Sequence, residues 1–157
     1  MERGGRRTHR GDRLLRRFVA SFFNWRNLDR HTRAHRLLFI VFLSLTYVGG
    51  GIYRTYAWPH GLRDFGLADA WPNIWAVPTM TFAWSGLLGY VDKGNLILVA
   101  GAAIGMIVYE FLQMTGFLGL VFDWKDIIGT LIGALIALGV HGCVERWLTE
   151  RAPVGGG

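Results

Sequence analysis

The chain has little charge and almost no cysteine. Charged residues make up 18% of it, against roughly 25% in an ordinary soluble domain. The single cysteine, Cys143, excludes an intramolecular disulfide and cannot hold a structural zinc ion alone. There is no nucleotide-binding glycine loop, no serine-hydrolase motif and no recognisable histidine metal motif. The sequence therefore predicts a fold without disulfides, and it predicts no cofactor.

What the chain does have is long apolar stretches, with 52% hydrophobic residues among 157. Four of them approach the roughly 20 residues that a helix needs to cross about 30 Å of hydrocarbon. Backbone groups in lipid must be satisfied within each segment, and the alternating pattern of a membrane barrel is absent. The sequence therefore predicts an all-α polytopic membrane protein. Its transmembrane domain is expected at 37–151, with four transmembrane helices at 37–53, 71–91, 95–115 and 127–144.

The arginines predict the orientation. Of the 17 basic residues, 11 are arginines within residues 1–36, which by the positive-inside rule places the N-terminus in the cytoplasm. Four crossings return the C-terminus to the same side. Because the basic residues are confined to one segment, we expect no nucleic-acid partner.

Residues 1–36 are interpreted as a basic cytoplasmic segment that contains an amphipathic interfacial helix. Apolar residues recur at helical spacing from Leu14 to Leu28. This helix either binds anionic lipid or a partner, or only fixes the topology. The tail at 152–157 is predicted to be disordered.

Small residues predict where the helices pack, because close approach in lipid depends on them. Gly101 and Gly105 form one pair in the third tract. The fourth tract carries a longer small stripe of Gly129, Gly133 and Ala137.

Glu110 lies within an apolar tract, where an ionisable side chain indicates a functional site by default. At 100° per residue it shares a helix face with Gln113. Because the third and fourth helices run antiparallel, Glu110 is expected at the depth of Asp126, near the outer surface, with Asp123 beside it. Glu110 could instead be a protonated packing contact and Asp126 a simple helix cap. Such a cluster suits a divalent cation, a lipid amine or a proton.

His60 and His141 are weaker candidates for a functional site. His60 lies in a loop, where a solvated side chain is expected. His141 lies near the inner end of the fourth tract and is expected to bond a backbone carbonyl.

The segments at 109–113 (YEFLQ) and 122–133 (FDWKDIIGTLIG) resemble the signature of the VanZ-like membrane proteins. That family consists of small multi-helix proteins, some linked to glycopeptide antibiotic resistance, whose biochemical activity is poorly defined. The resemblance implies a bacterial cell-envelope protein of the inner membrane. It assigns the polar signature to Glu110, Gln113, Asp123 and Asp126.

Two positions depart from that signature. Its arginine falls near Leu120 and its asparagine is replaced by Thr130. Arg54 and Arg63, from the predicted outer loop at 54–70, are the candidate charge partners in place of the missing arginine.

The leading hypothesis is an outer-leaflet polar pocket that recognises an envelope lipid or its headgroup. Its expected partners are membrane lipids, and whether it catalyses a reaction stays open. The alternative is a non-catalytic subunit that packs against other membrane protein subunits in a larger complex. Proton or solute transport through Glu110 is a third hypothesis. The pocket is predicted to contain Glu110, Gln113, Asp123, Asp126 and Thr130.

Overall fold

A computed structural model describes residues 25–61, 64, 66–89, 94–115 and 122–150, and these residues form helices and turns without a strand. The all-helical prediction is confirmed. Four long helices follow one another along the chain: α1 (Arg30–Ala57), α2 (Leu67–Leu88), α3 (Gly94–Met114) and α4 (Trp124–Glu150).

The helices extend past several of the predicted limits. α1 begins at Arg30 rather than at residue 37, because the Asp29 carboxylate accepts a hydrogen bond of 2.5 Å from the Thr32 amide and caps the helix there. α4 continues to Glu150 rather than ending at 144. A charged side chain ends a hydrophobic tract but does not end a helix. The last part of the basic segment, from Arg30 to Arg36, therefore forms the first turns of α1.

The predicted N-terminal amphipathic helix lies mostly outside the described residues. Its last residues, from Trp25 to Leu28, form a turn and irregular chain rather than a helix. The predicted tail at 152–157 also lies outside the described part.

Three helices, α1, α3 and α4, are long and apolar enough to cross a membrane. α2 is long enough but is interrupted by tryptophan, proline and hydroxyl-bearing residues, and it is not among the three. α2 packs against each of the other three helices. Its Val77 and Phe82 are almost completely buried. A helix enclosed by its neighbours presents less surface to lipid, which explains its lower hydropathy.

The outer faces of α3 and α4 remain apolar. Ile97 is 72% exposed and Leu135 is 69% exposed, and many further large apolar side chains on these helices are uncovered. Monomeric soluble proteins rarely leave a continuous apolar surface of this kind open to water. The exposed surface therefore fits a protein that lies in a membrane.

The small stripe of α4 forms its contact with α2. A Cβ atom at Gly133 would lie 2.2 Å from the Ile74 carbonyl oxygen of α2, so only glycine permits this approach. Ala137 is fully buried in the same contact region. The pair on α3 behaves differently, because Gly101 and Gly105 are exposed and no described atom lies within 4 Å of a Cβ built on either. These two glycines do not pack against another helix of this chain in the described part.

α1 contains a π-helical segment, Val48–Tyr53, where three glycines run in succession. A Cβ atom at Gly49 would overlap the ring of Trp71, so the glycine makes room for the indole. The Trp71 indole donates to the Leu45 carbonyl at 2.9 Å, in the turn just before this segment. This local change of pitch therefore fixes α1 against the start of α2.

The connections bring chain-distant residues together at the two ends of the helix assembly. The start of α1 meets the last turns of α4 at one end, which we call the histidine end after His31, His35 and His141. The end of α1 meets the start of α2, the end of α3 and the start of α4 at the other, which we call the carboxylate end after Glu110 and Asp126.

A candidate ligand pocket at the carboxylate end

A pocket of about 350 Å³ opens at the carboxylate end, where all four helices contribute side chains. Four of the five residues of the predicted pocket line it, together with Arg54, one of the two predicted charge partners. The described lining residues are Arg54, Asp69, Pro72, Asn73, Tyr109, Glu110, Gln113, Asp123 and Asp126.

Glu110 is the most enclosed carboxylate of the pocket, with only 2% of the residue exposed. The spacing of three residues along α3 places Gln113 beside it, and the Gln113 amide donates a hydrogen bond to its carboxylate. The other oxygen, Oε2, has no hydrogen-bond partner among the described residues. A buried carboxylate oxygen without a partner is costly, so this atom needs a donor or a cation from outside the described chain.

Asp126 faces the same pocket from the first turn of α4. The Asn73 amide of α2 donates to its carboxylate, whereas Oδ1 is buried and has no partner in the described part of the chain. Asp123, and not Asp126, caps this helix. It precedes the helix, and its carboxylate accepts a hydrogen bond from the Lys125 amide at 2.9 Å. Capping therefore does not account for Asp126.

Thr130 does not line the pocket, which corrects the prediction. Its side chain is fully buried one turn further along α4, and its hydroxyl donates to the Asp126 carbonyl at 2.8 Å. The threonine therefore supports the helix below the pocket rather than meeting a ligand. Arg63, the second predicted charge partner, lies outside the described residues.

Arg54 is the cation at the pocket. Its guanidinium lies 3.7 Å from the Asp69 carboxylate and 4.1 Å from the centre of the Trp58 ring. About two-fifths of each partner of the ion pair is exposed, so this contact is accessible to water. Arg54 thus lies at the mouth of the pocket, whereas Glu110 lies at its buried side.

Sequence reasoning missed the contributions of Asp69 and Asn73. These residues are four positions apart and therefore share a face of α2. The predicted second helix starts at 71 and leaves Asp69 outside it, but α2 begins at Leu67 and carries Asp69 in its first turn. The i, i+4 spacing at the start of the second tract was the available signal. Its meaning depends on how α2 packs, which the sequence alone does not give.

The pocket carries a strong excess of acidic groups, with four carboxylates and one guanidinium among its described lining residues. Glu110 and Asp126 are close enough for their charges to interact. Two carboxylate oxygens without a partner among the described residues, together with this excess of negative charge, favour a positively charged ligand that donates hydrogen bonds. His60 does not join them, since its ring stacks on Tyr56 at the surface.

Comparison of the chain with protein-family models, curated proteins and solved structures finds no match.

Proposed function

We propose that this chain is a VanZ-like inner-membrane protein whose carboxylate end binds the amine of an envelope lipid headgroup. In this proposal α2 crosses the membrane together with the three more apolar helices. Both termini are cytoplasmic and the pocket opens to the outer leaflet. The observation that carries the proposal is the Glu110 carboxylate, which is nearly completely buried and has one oxygen without a partner among the described residues.

The position of α2 supports the four-span topology. It shares both ends with α1 and α4 and packs against each of the other helices. A segment enclosed in this way tolerates Asn73 and the interrupting prolines, because neighbouring helices satisfy polar groups at membrane depth. The cluster of basic residues before α1 supports a cytoplasmic N-terminus.

The chemistry of the pocket favours an ammonium group over an anion or a neutral lipid. An ammonium donates three hydrogen bonds in different directions, and the open carboxylate oxygens of Glu110 and Asp126 accept two of them. Arg54, at the mouth, suits the phosphate that adjoins the amine in a zwitterionic phospholipid. A headgroup with an amine and a phosphate therefore matches both signs of charge in the pocket.

Binding of defined lipids to the purified protein tests this function. Native mass spectrometry in mild detergent compares phosphatidylethanolamine with phosphatidylcholine, whose quaternary amine has no N–H donor, and with anionic phosphatidylglycerol. We expect phosphatidylethanolamine to bind most tightly. Glu110→Gln and Asp126→Asn should each weaken it about tenfold, or ~1.4 kcal/mol, whereas the exposed Glu150→Gln at the histidine end serves as a matched control and should not change it.

Equal binding of the three lipids, or unchanged binding in both pocket variants, would contradict the proposal. If the pocket instead binds a divalent cation in the absence of lipid, the ligand would be a metal ion and not a lipid amine. Both results are read from the same spectra.

A second candidate function is that of a non-catalytic subunit of a membrane complex. The exposed pair Gly101 and Gly105 on α3 favours it, because such a face permits close helix contact and contacts no helix of this chain in the described part. The mass of the complex extracted in mild detergent separates the two functions. Gly101→Leu should dissociate a stoichiometric partner if this face is a subunit contact and should leave lipid binding unchanged.

A further inference from the structure

The histidine end gathers two pairs of side chains that can hold a metal. His31 and His35 are four residues apart on α1, and His141 and Glu145 are four residues apart on α4. The i, i+4 spacing places both members of each pair on one helix face. α1 and α4 run in opposite directions, so the two faces meet near the start of one helix and the end of the other.

The distances within this cluster are short. His35, His141 and Glu145 each offer one ligand atom, and these three atoms lie within 4.8 Å of one another. The Glu145 Oε1 atom lies 4.0 Å from His35 Nε2 and 3.3 Å from His31 Nδ1. The ring centres of His35 and His141 are 5.7 Å apart.

The cluster combines a buried ligand with an accessible edge. His35 is completely buried, and its ring also lies 5.5 Å from that of Phe82, which restricts its orientation. The side chains of His31 and Glu145 are 33% and 22% exposed, so an ion can enter from that side. A restricted inner ligand with accessible outer ligands is a suitable arrangement for capturing an ion from solution.

We propose that His35, His141 and Glu145 bind a divalent transition-metal ion, with zinc as the reference ion and His31 as a fourth ligand. Zinc prefers tetrahedral sites built from imidazole nitrogen and carboxylate oxygen at about 2.0–2.2 Å, so neighbouring ligand atoms should lie roughly 3.4 Å apart. The three ligand atoms lie within 4.8 Å of one another, so they need to approach by about 1.4 Å at most, which rotation of the partly exposed side chains can supply.

The ligand types select the class of ion. Imidazole suits zinc, copper, nickel and iron, whereas calcium and magnesium prefer sites made entirely of oxygen. Three imidazoles with one carboxylate therefore exclude the two abundant hard cations as the preferred occupants. The same composition separates this cluster from the oxygen-rich pocket at the carboxylate end.

A metal at this position would join two helices that otherwise depend on a third. α1 and α4 both make most of their contacts with α2 and only a few with each other. Because the ion would bind the folded protein and not the unfolded chain, it should raise the stability of the assembly by mass action. The sequence predicted no histidine metal motif, since the cluster joins residues as much as 114 positions apart.

Metal binding is tested on the full-length protein in detergent, purified without a polyhistidine tag and stripped with a chelator. Zinc is titrated by calorimetry, and cobalt is used as a visible-absorption probe of coordination geometry. We expect one saturable equivalent per chain and the intense absorption of tetrahedral cobalt. We also expect a zinc-dependent rise in the thermal denaturation midpoint.

The partly exposed ligands provide the variants, because substitution of buried His35 endangers folding. His141→Gln and Glu145→Gln should each weaken zinc binding at least tenfold and abolish the zinc-dependent rise in midpoint. His60→Gln and Glu150→Gln are the matched controls and should bind zinc like the parent. Two independent ligand variants keep the test decisive if one of them fails to fold.

Absence of saturable binding to the parent would overturn the proposal, as would unchanged affinity in both folded ligand variants. A lower midpoint for Glu145→Gln without any zinc dependence in the parent would identify an ion pair instead of a metal site. Neither result bears on lipid binding at the carboxylate end.

Discussion

The two ends of the helix assembly use polar side chains in opposite ways. At the carboxylate end, acidic oxygens surround an open pocket, and two of the buried ones have no hydrogen-bond partner in the described structure. At the histidine end, imidazoles and one carboxylate lie close together with short contacts among themselves. The difference teaches that polar groups at one end face an open space, whereas polar groups at the other end contact one another across two helices.

Both ends depend on the contact between α2 and α4, and breaking that contact should have the largest effect. Gly133→Leu would place a side chain where the Ile74 carbonyl already lies 2.2 Å from the Cβ position, and we expect a loss of about 3 kcal/mol in stability. Thermal denaturation in detergent, followed by circular dichroism, measures it.

The matched control is Gly139→Leu on the same helix, where no described atom lies within 4 Å of the Cβ position. It should denature like the parent. If both variants are equally stable, the close approach of α4 to α2 is wrong and neither site would be held as described.

Whether the two ends act independently is tested by measuring both lipid binding and zinc affinity for a variant at each end. Glu110→Gln should weaken phosphatidylethanolamine binding about tenfold and leave zinc affinity unchanged, because Glu110 lies at the end opposite the histidines. His141→Gln should do the reverse. Native mass spectrometry and calorimetry on the same preparations provide the four values. A variant that weakens both ligands would show that the ends are coupled through the helices.

The smallest effect is expected at Asp64, in the connection between α1 and α2. Its carboxylate accepts from the Ala68 amide at 2.7 Å, the Tyr53 hydroxyl at 3.0 Å and the Gly66 amide at 3.0 Å. These hydrogen bonds, the Ala68 amide first, hold the pKa of Asp64 below its ordinary value of 3.8.

A carboxyl group whose pKa is lower in the folded state stabilises the fold at neutral pH. That contribution is lost as the pH falls below the ordinary pKa of 3.8 and then through the lowered pKa of the folded protein. The parent midpoint should therefore drop in this acid range. Asp64→Asn should lower the midpoint slightly at neutral pH and make it less sensitive to acid. A parallel pH profile for the two proteins would remove Asp64 from this role.

Much of the carboxylate end was predictable because a charged residue stands out in an apolar tract. Glu110 marked the site, and helical periodicity placed Gln113 beside it and Gly133 on the face that packs. The histidine end was not predictable in this way. His31 and His35 lie before the first predicted tract, in the basic segment. Their convergence with His141 depends on which faces of α1 and α4 turn toward each other.

Packing partners set the remaining limits of sequence reasoning. The pair on α3 and the stripe on α4 were both expected to pack, yet Gly133 meets α2 while Gly101 meets no described helix. Asn73 enters the pocket only because α2 lies between α1 and α4. Thr130 shares a helix face with Asp126, but it is one turn deeper and covered by neighbouring helices. These outcomes are decided by tertiary contacts that a single helix does not encode.

The central claim is that α3 and α4 bring polar side chains from distant parts of the chain to one pocket. Paired-cysteine cross-linking in native membranes tests it most directly, in a Cys143→Ser background and with a short bis-maleimide. Gln113→Cys with Asp126→Cys should cross-link efficiently, because both positions line the pocket. Leu112→Cys with Asp126→Cys should not, because Leu112 is 45% exposed on the outer face of α3. Equal cross-linking of the two pairs, or none with Gln113, would contradict the account.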